Sequence, residues 1–403
     1  MAANELSFNQ VATVLNSVVK QATGQSDLVA TDTSSFVTQA TAALKTGYDP
    51  FLHALSQTIS RTIFSIRPYS SKLRGLEYSE GQWGNHVRKI KMSTRDVSDN
   101  LAYKWPVAYA ADQDPATGNG KSVDMYTINK PDVVQTNFYG KNVYGDSFTV
   151  HEDQLECATT PDGFAQLLSM IMTNSTNMLE TARENVKRAT IANLIAAVID
   201  EANPTRVVHL ISEYNAQAGI SEPLTPQSVF QPANFKAWAQ WAFARINTIS
   251  DMMTESSTMY QTNLTGHNIR QHTPKADQMT YILAPYQRQM EYMAIADTYH
   301  DNILNTTASE LVNYWQSIKS PDSINITPGY IDATGAVKTG GAVSKSNVFG
   351  VIFDRNAAGV AYFRQHIAPT PFNVAGRYTN YWIHETERNF NDLTEKAVVF
   401  LLD

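Results

Sequence analysis

The sequence predicts an α+β chain, and three observations carry that reading. One helical pattern runs from 161 to 202 without a break, and β-branched and aromatic runs at 82–92 and 133–150 flank a polar, turn-rich middle. From 205 onward, helical and extended patterns alternate. With 403 residues the chain has the length of two or three domains, and a hydrophobic content of 43% is enough to give each a core.

The first element is a short amphipathic helix over 8–23, with Val11, Val14, Leu15, Val18 and Val19 on one side. A connector rich in Gly, Ser, Asp and Thr leads to two more short helical patterns, 35–44 and 50–66, the second ending before Pro68. Three helices with stripes this narrow cannot build a core, so 1–70 is expected to be an arm lying along other elements or other subunits. The region 71–150 is then expected to go out, turn and return as a long two-stranded excursion. Its turn is the cluster Ala111-Asp-Gln-Asp-Pro-Ala-Thr-Gly-Asn-Gly-Lys121. An isolated hairpin buries too little to offset the entropy of ordering it, so support from outside the subunit is expected.

The long helix has strong punctuation. Thr160 suits the N-cap, Pro161 the first helical position and Asp162 the positive first turn, and Asn203-Pro204 stops it. At 1.5 Å per residue, 161–202 spans roughly 60 Å. Apolar residues from Phe164 through Leu179 and Val186 to Ile199 form one stripe at 3.6 spacing, thinned at Ser175. The opposite face carries Asn174, Asn177, Glu180, Arg183, Glu184 and Lys187 and is expected to be solvated, the whole helix lying across a surface rather than inside a core.

After it come a strand at 205–212, a helix at 232–253 rich in Trp238, Trp241 and Phe243, and a strand at 279–283. A helix opening at Pro285, a short helix at 309–315 and a strand at 347–353 complete a mixed domain with an aromatic core. The tail reads as strands at 377–388 and 396–402, separated by Asn389-Phe-Asn-Asp392 and packing beside the long helix.

Composition and motifs exclude several kinds of chemistry. A net charge of −7 opposes general nucleic-acid binding, and the patch Arg88-Lys89-Ile90-Lys91 reads as a solvated strand face. A single cysteine, Cys157, excludes an intramolecular disulfide framework. No apolar run is long enough to span a membrane, and the N-terminus lacks the pattern of a signal peptide. Gly120-Lys121-Ser122 resembles the end of a phosphate loop, but Pro115 stands where the first glycine belongs and no helix follows. Gly145-Asp146-Ser147 precedes a strand rather than the strand-to-helix elbow of an activated serine. His151-Glu152-Asp153 and the pair His267 and His272 lack metal-ligand spacing. No catalytic group, cofactor site or metal site is therefore expected, and the chain is read as a non-enzyme.

An arm, an extended hairpin, a long helix with terminal strands beside it and an inserted α+β domain resemble, in this order, the major capsid protein of tailed bacteriophages. The wording of Arg61-Thr-Ile-Phe-Ser-Ile-Arg-Pro-Tyr69, Ile367-Ala-Pro-Thr-Pro371, Arg377-Tyr-Thr-Asn-Tyr-Trp382 and Thr394-Glu-Lys-Ala-Val-Val-Phe-Leu-Leu-Asp403 also looks like that family. The resemblance implies the Hong Kong 97-type capsid fold. Its parts would be an N-terminal arm at 1–70, an extended β-hairpin (E-loop) at 71–150, a peripheral domain with spine helix at 151–204, an axial domain at 205–375, and C-terminal strands at 376–403 returning to the peripheral domain.

The function implied is self-assembly as pentamers and hexamers into an icosahedral shell around double-stranded DNA, packaged without sequence-specific binding. The location implied is the virion, reached by way of the host cytoplasm. Partners implied are other copies of the chain, a portal, decoration proteins and a scaffold. Because the arm begins near Met1 with no preceding coiled coil, the scaffold is expected to be a separate protein. Some relatives form Lys–Asn crosslinks; Lys121 and Lys130 lie in the hairpin region, but no pair stands out. Phe8, Trp83, Arg88, Lys91, Trp105, Tyr109, Lys121 and Arg183 are the expected subunit-contact residues. The alternatives are an encapsulin-like shell holding protein cargo, and a hydrolase with a pocket in the inserted domain.

Overall fold

The computed structural model describes residues 16, 69–78, 86–94, 126, 132–151, 161–220, 222–295 and 310–403. The three arm helices, the turn cluster at 111–121, Thr160 and Cys157 lie outside the described residues.

Two sheets and one helix organise the rest. The five-stranded sheet takes β5 (Val207–His209), β6 (Gln278–Leu283), β7 (Glu310–Val312), β12 (Val348–Asp354) and β15 (Ala397–Leu401), in the order β5-β15-β12-β6-β7. Its inner strands are antiparallel, and each edge strand, β5 and β7, runs parallel to its neighbour. The central strands β12 and β15 are buried along their whole length, so they read as continuous apolar runs instead of alternating ones. Each face has its own helix. Helix α3 (Pro232–Met253) lays Phe235, Trp238, Ala242, Phe243, Ile246, Ile249 and Met253 against Ile282, Phe349, Ile352, Val398 and Phe400. On the other face Tyr281, Val351, Phe353, Val399 and Leu401 meet helix α1 (Pro161–Asp200). A register shift between Val348 and Gly350 lets Phe349 face α3 although Val351 faces α1.

The second sheet has the order β1-β13-β14-β4, built from β1 (Glu77–Tyr78), β4 (Asn142–His151), β13 (Ala358–Pro369) and β14 (Tyr378–Asn391). A hairpin stem of β2 (Val87–Met92) and β3 (Val133–Phe138) stands beside it. Helices α2 (Leu210–Ala218) and α4 (Ala284–Ile295) and two small ribbons complete the described chain, the ribbons pairing β8 (Ile324–Ile326) with β11 (Val343–Lys345) and β9 (Gly329–Ile331) with β10 (Val337–Thr339).

Helix α1 is unbroken at Ser175, which is buried. Its polar face is exposed at Asn174 and half-buried at Asn177 and Arg183, but it is not solvated further along: Glu180, Glu184, Lys187 and Arg188 are all buried, covered by the chain around Ser71. Nor does it only cross a surface, because Ile191, Ala192 and Leu194 through Val198 are buried on every side. That stretch is uncharged, as a helix passing through a core must be. Ala202 ends the turn with φ at 53°, the left-handed C-terminal conformation.

Four other expectations need correction. The strand expected over 205–212 stops at His209, and Leu210 opens α2, which Gly219 closes at φ 57°. The helix expected at 309–315 is strand β7, whose residues pair with Tyr281, Ile282 and Leu283; the sheet edge overrode local propensity. The break expected at 389–392 comes only at Asp392, since Asn389 to Asn391 still pair with β13. The return run 133–150 is two strands bent at Gly140, where a Cβ would lie 2.9 Å from the main-chain oxygen of Asn389. Helix α3, in contrast, has the limits read from sequence, with Pro232 at its start.

The burial gradient along α1 gives a first prediction. Leu194→Ala should cost about 2–5 kcal/mol of unfolding free energy, whereas Met170→Ala, at a site 62% exposed, should change it by less than about 0.5 kcal/mol. Chemical denaturation of the two variants checks this, and equal effects would contradict the core-penetrating helix.

Candidate functional site

Strand β2 of the hairpin stem alternates strictly. In β2, Arg88, Ile90 and Met92 point outward while Val87, Lys89 and Lys91 turn toward the body, as residues two apart on a strand must. The two inward lysines meet the turn between β14 and β15. Lys89 Nζ lies 3.1 Å from Asp392 Oδ2 and 3.6 Å from Glu395 Oε1, and Lys91 Nζ lies 3.2 and 2.8 Å from the same atoms. Lys89 also donates to the main-chain oxygen of Asn356 and sits 5.1 Å from the Phe390 ring centre.

Asp392 is fully buried and does two jobs. Its Oδ1 accepts from the Thr394 amide at 3.0 Å and hydroxyl at 2.5 Å, forming the turn, while Oδ2 holds both ammonium groups. Burial pushes its carboxyl up, but Lys89 and Lys91 outweigh that and hold it at about 2. A second attachment lies at the stem's foot. The Thr94 amide donates to Asn268 O at 2.5 Å, the Arg270 amide donates to Thr94 Oγ1 at 3.2 Å, and His267 Nδ1 lies 2.5 Å from Asp132 Oδ2. The hairpin is therefore supported at its base by its own subunit, which corrects the expectation that support must come from outside.

Its other face is uncovered. Ile90, Met92 and Val133 are 57%, 58% and 51% exposed, and Met92 and Val133 are cross-strand partners. Arg88 is exposed beside them.

The second candidate region is the strap at 69–78, which crosses α1. The Ser71 amide donates to Glu180 Oε2 at 3.1 Å, the Lys72 amide to Glu184 Oε2 at 3.4 Å, and the Leu73 amide to Glu310 Oε1 at 2.6 Å. Lys187 Nζ answers by donating to Ser71 Oγ at 2.8 Å and Lys72 O at 3.2 Å, and it pairs with Glu77. Arg188 Nε holds Glu184 Oε1 at 2.9 Å, and Tyr69 OH donates to Glu184 Oε2 at 2.7 Å. That bond to Glu184 pushes the Tyr69 hydroxyl up to about 12. The strap is thus tied down mainly through its backbone.

Among the described residues, the serine and histidine motifs of the sequence are placed as follows. Ser147 lies inside β4 opposite Trp382, with its amide on Asp146 Oδ1 at 2.8 Å. His272 is exposed, and among the described residues no group of three or more His, Cys, Asp or Glu could hold a metal ion. A cleft of about 400 Å³ at the end of α1 is lined by Ile199, Pro204, Val207 and Leu401. Its charged rim is engaged in pairs: His209 Nδ1 lies 2.5 Å from Asp403 Oδ1 and Glu213 accepts from Arg245 Nε at 2.8 Å. No described helix is long and apolar enough to cross a membrane.

Of the expected contact residues, Phe8, Trp83, Trp105, Tyr109 and Lys121 lie outside the described residues. Arg88 is on the open face of the stem, whereas Lys91 and Arg183 have partners in their own chain; Arg183 Nε donates to Glu385 Oε1 at 2.7 Å. Sequence reading missed Lys89, Asp392 and Glu395 as a cluster. The spacing of Lys89 and Lys91 on a strand was the available signal for half of it.

The family described as Phi29-like phage major capsid protein matches residues 15–401. Among solved structures, the chain is similar to one titled as the capsid structure of Staphylococcus phage Andhra, at 12% identity and a TM-score of 0.53, covering 85% of this chain and 86% of that one. It is also similar to one titled as head fiber and inner core protein gp22 of native bacteriophage P68, at 11% identity and a TM-score of 0.50, covering 84% and 86%. No curated protein sequence matches it.

The Asp392 cluster predicts a pH signature. A carboxyl held at about 2 in the folded chain contributes stability that is fully present above pH ~4 and lost as pH falls toward 2, a change of about 2–3 kcal/mol. Asp392→Asn should abolish that component and speed amide exchange in 87–92. Identical acid denaturation curves for the two proteins would contradict the clamp.

Proposed function

The chain belongs to the Phi29-like phage major capsid protein family, and from that premise we propose how its parts build the shell. The protein is a structural component of the phage capsid, and its fold is of the Hong Kong 97 type. In our reading, pentamers and hexamers of the chain close into an icosahedral shell. Region 205–375 forms the axial domain around the five- and sixfold axes, the long helix with the terminal strands forms the peripheral domain, and the arm at 1–70 clamps adjacent subunits.

One observation supports the hairpin's part in this reading above the others. The stem is clamped on its inner face to Asp392 and Glu395 but leaves Ile90, Met92 and Val133 open on its outer face. A ribbon fixed at its base and apolar on its free side is oriented to bring its remaining length, 93–132, over a neighbouring copy, where burial of that face would be favourable. Arg88 then becomes a cross-subunit contact, as do Phe8, Trp83, Trp105, Tyr109 and Lys121. Lys91 and Arg183 serve instead to set the geometry within each subunit.

The neutral polar surface and net charge of −7 suit a wall that does not hold DNA tightly, so packaged double-stranded DNA is met without sequence recognition. A scaffold protein, a portal and decoration proteins are the further partners proposed, with assembly in the host cytoplasm.

Deleting 110–122 should leave a folded, soluble subunit that no longer forms shells, and Ile90→Asp should reduce shell yield at least tenfold. Negative-stain microscopy with scaffold supplied reads both. Normal polyhedra from the deletion variant, or loss of subunit folding, would overturn the hairpin's role; a uniform population of monomers or dimers from the unaltered chain would overturn the shell reading itself.

A further inference from the structure

The interface between α1 and the four-stranded sheet holds more acid than base. Strand β14 places Glu385 and Glu387 two residues apart, on one face, and both are buried. The charged and titratable groups around them come from every adjoining element: Glu180, Arg183 and Lys187 of α1, Tyr144 of β4, Tyr362 of β13 and Glu77 of β1. The cations are already matched. Arg183 Nη1 lies 2.9 Å from Glu180 Oε1, Arg183 Nη2 lies 2.6 Å from Glu385 Oε1, and Lys187 pairs with Glu77.

The side chains that hydrogen-bond to Glu387 are neutral. Its Oε1 accepts from Asn142 Nδ2 at 3.3 Å and it receives the Tyr144 hydroxyl, while its Oε2 is buried without a hydrogen-bond partner. An ionised carboxylate in this place has no cation of its own, and leaving a buried charge unmatched opposes packing.

We propose that Glu387 is a proton-operated latch between α1 and the four-stranded sheet, taking a proton from solvent to close the interface and releasing it to loosen the packing. Burial pushes this carboxyl up from 4.5 to about 7; the hydrogen bonds from Tyr144 and Asn142 oppose the shift, the charge of Glu385 adds to it, and the charge of Arg183, engaged by Glu180 and Glu385, lowers it least of all. The sign follows from the raised value. Below about pH 4.5 the folded and unfolded chains both carry the proton, and the stabilisation relative to the ionised form is complete. It is lost as pH rises through 7, because the folded chain must then bury the anion. The latch therefore closes on the acid side of neutrality and slackens on the alkaline side, the reverse of the Asp392 clamp.

Amide exchange over 179–188 and 381–389 tests this on the full chain. After correction for intrinsic rates, protection in the unaltered protein should fall by about 30-fold between pH 5.5 and 8.5. Glu387→Gln, which keeps the shape and removes the titration, should hold the low-pH protection throughout. A pH profile shared by the two proteins, or a Gln variant less protected than the parent at pH 8.5, would overturn the proposal. Infrared titration of the unaltered protein provides a readout that needs no variant: a buried carboxylic-acid carbonyl band should persist to about pH 7, and its complete disappearance by pH 5 would overturn the latch.

Discussion

The last three turns of α1 constrain everything else described here. Ile191, Ala192, Leu194, Ile195, Ala196, Ala197 and Val198 are buried on all sides, so the five-stranded sheet and its surroundings fix this end of the helix and with it the direction of the charged portion. Interiors pack as tightly as organic crystals and do not deform gradually. The helix therefore leaves the core as a rigid lever. The four-stranded sheet and the strap must fit wherever its residues from Glu180 to Arg188 arrive, and they do so through ion pairs and backbone hydrogen bonds. One element thus changes its chemistry along its length, from a hydrophobic anchor to a polar docking rail.

That change was partly legible in the sequence. The starts of α1 and α3 follow from Pro161 and Pro232 and stand where the sequence put them; α3 also ends as expected at Met253, whereas α1 ends at Asp200, two residues short of the expected limit. The buried end of α1 was legible as well, in a run without charge from Ile191 to Ile199, but a search for one amphipathic stripe passes over a helix that is apolar all round. The polar face misled for a different reason. Glu180, Glu184 and Lys187 look like a solvated surface because local sequence does not contain the strap, which arrives from more than a hundred positions away.

The edges of sheets were the least legible features. Strand β7 has a sequence that suits a helix, and the ladder of β6 decides otherwise. His209 ends a strand and caps a helix within one step, a boundary that depends on Leu401 lying opposite it. The lysine cluster shows the same limit at the site. Alternation along β2 puts Lys89 and Lys91 on one side, yet their acceptors, Asp392 and Glu395, lie in a turn three hundred positions further on, and no spacing rule connects them.

The strap has a consequence for how this fold tolerates sequence drift. Its hold on α1 and on the edge strand β7 comes largely from main-chain amides, groups that nearly every amino acid supplies: those of Ser71 and Lys72 are received by Glu180 and Glu184 of α1, and that of Leu73 by Glu310 of β7. Substitution is then cheap on one side of the joint and costly on the other. A connection with this asymmetry can keep its geometry while most of the strap's own residues change, provided that the glutamates receiving its amides stay.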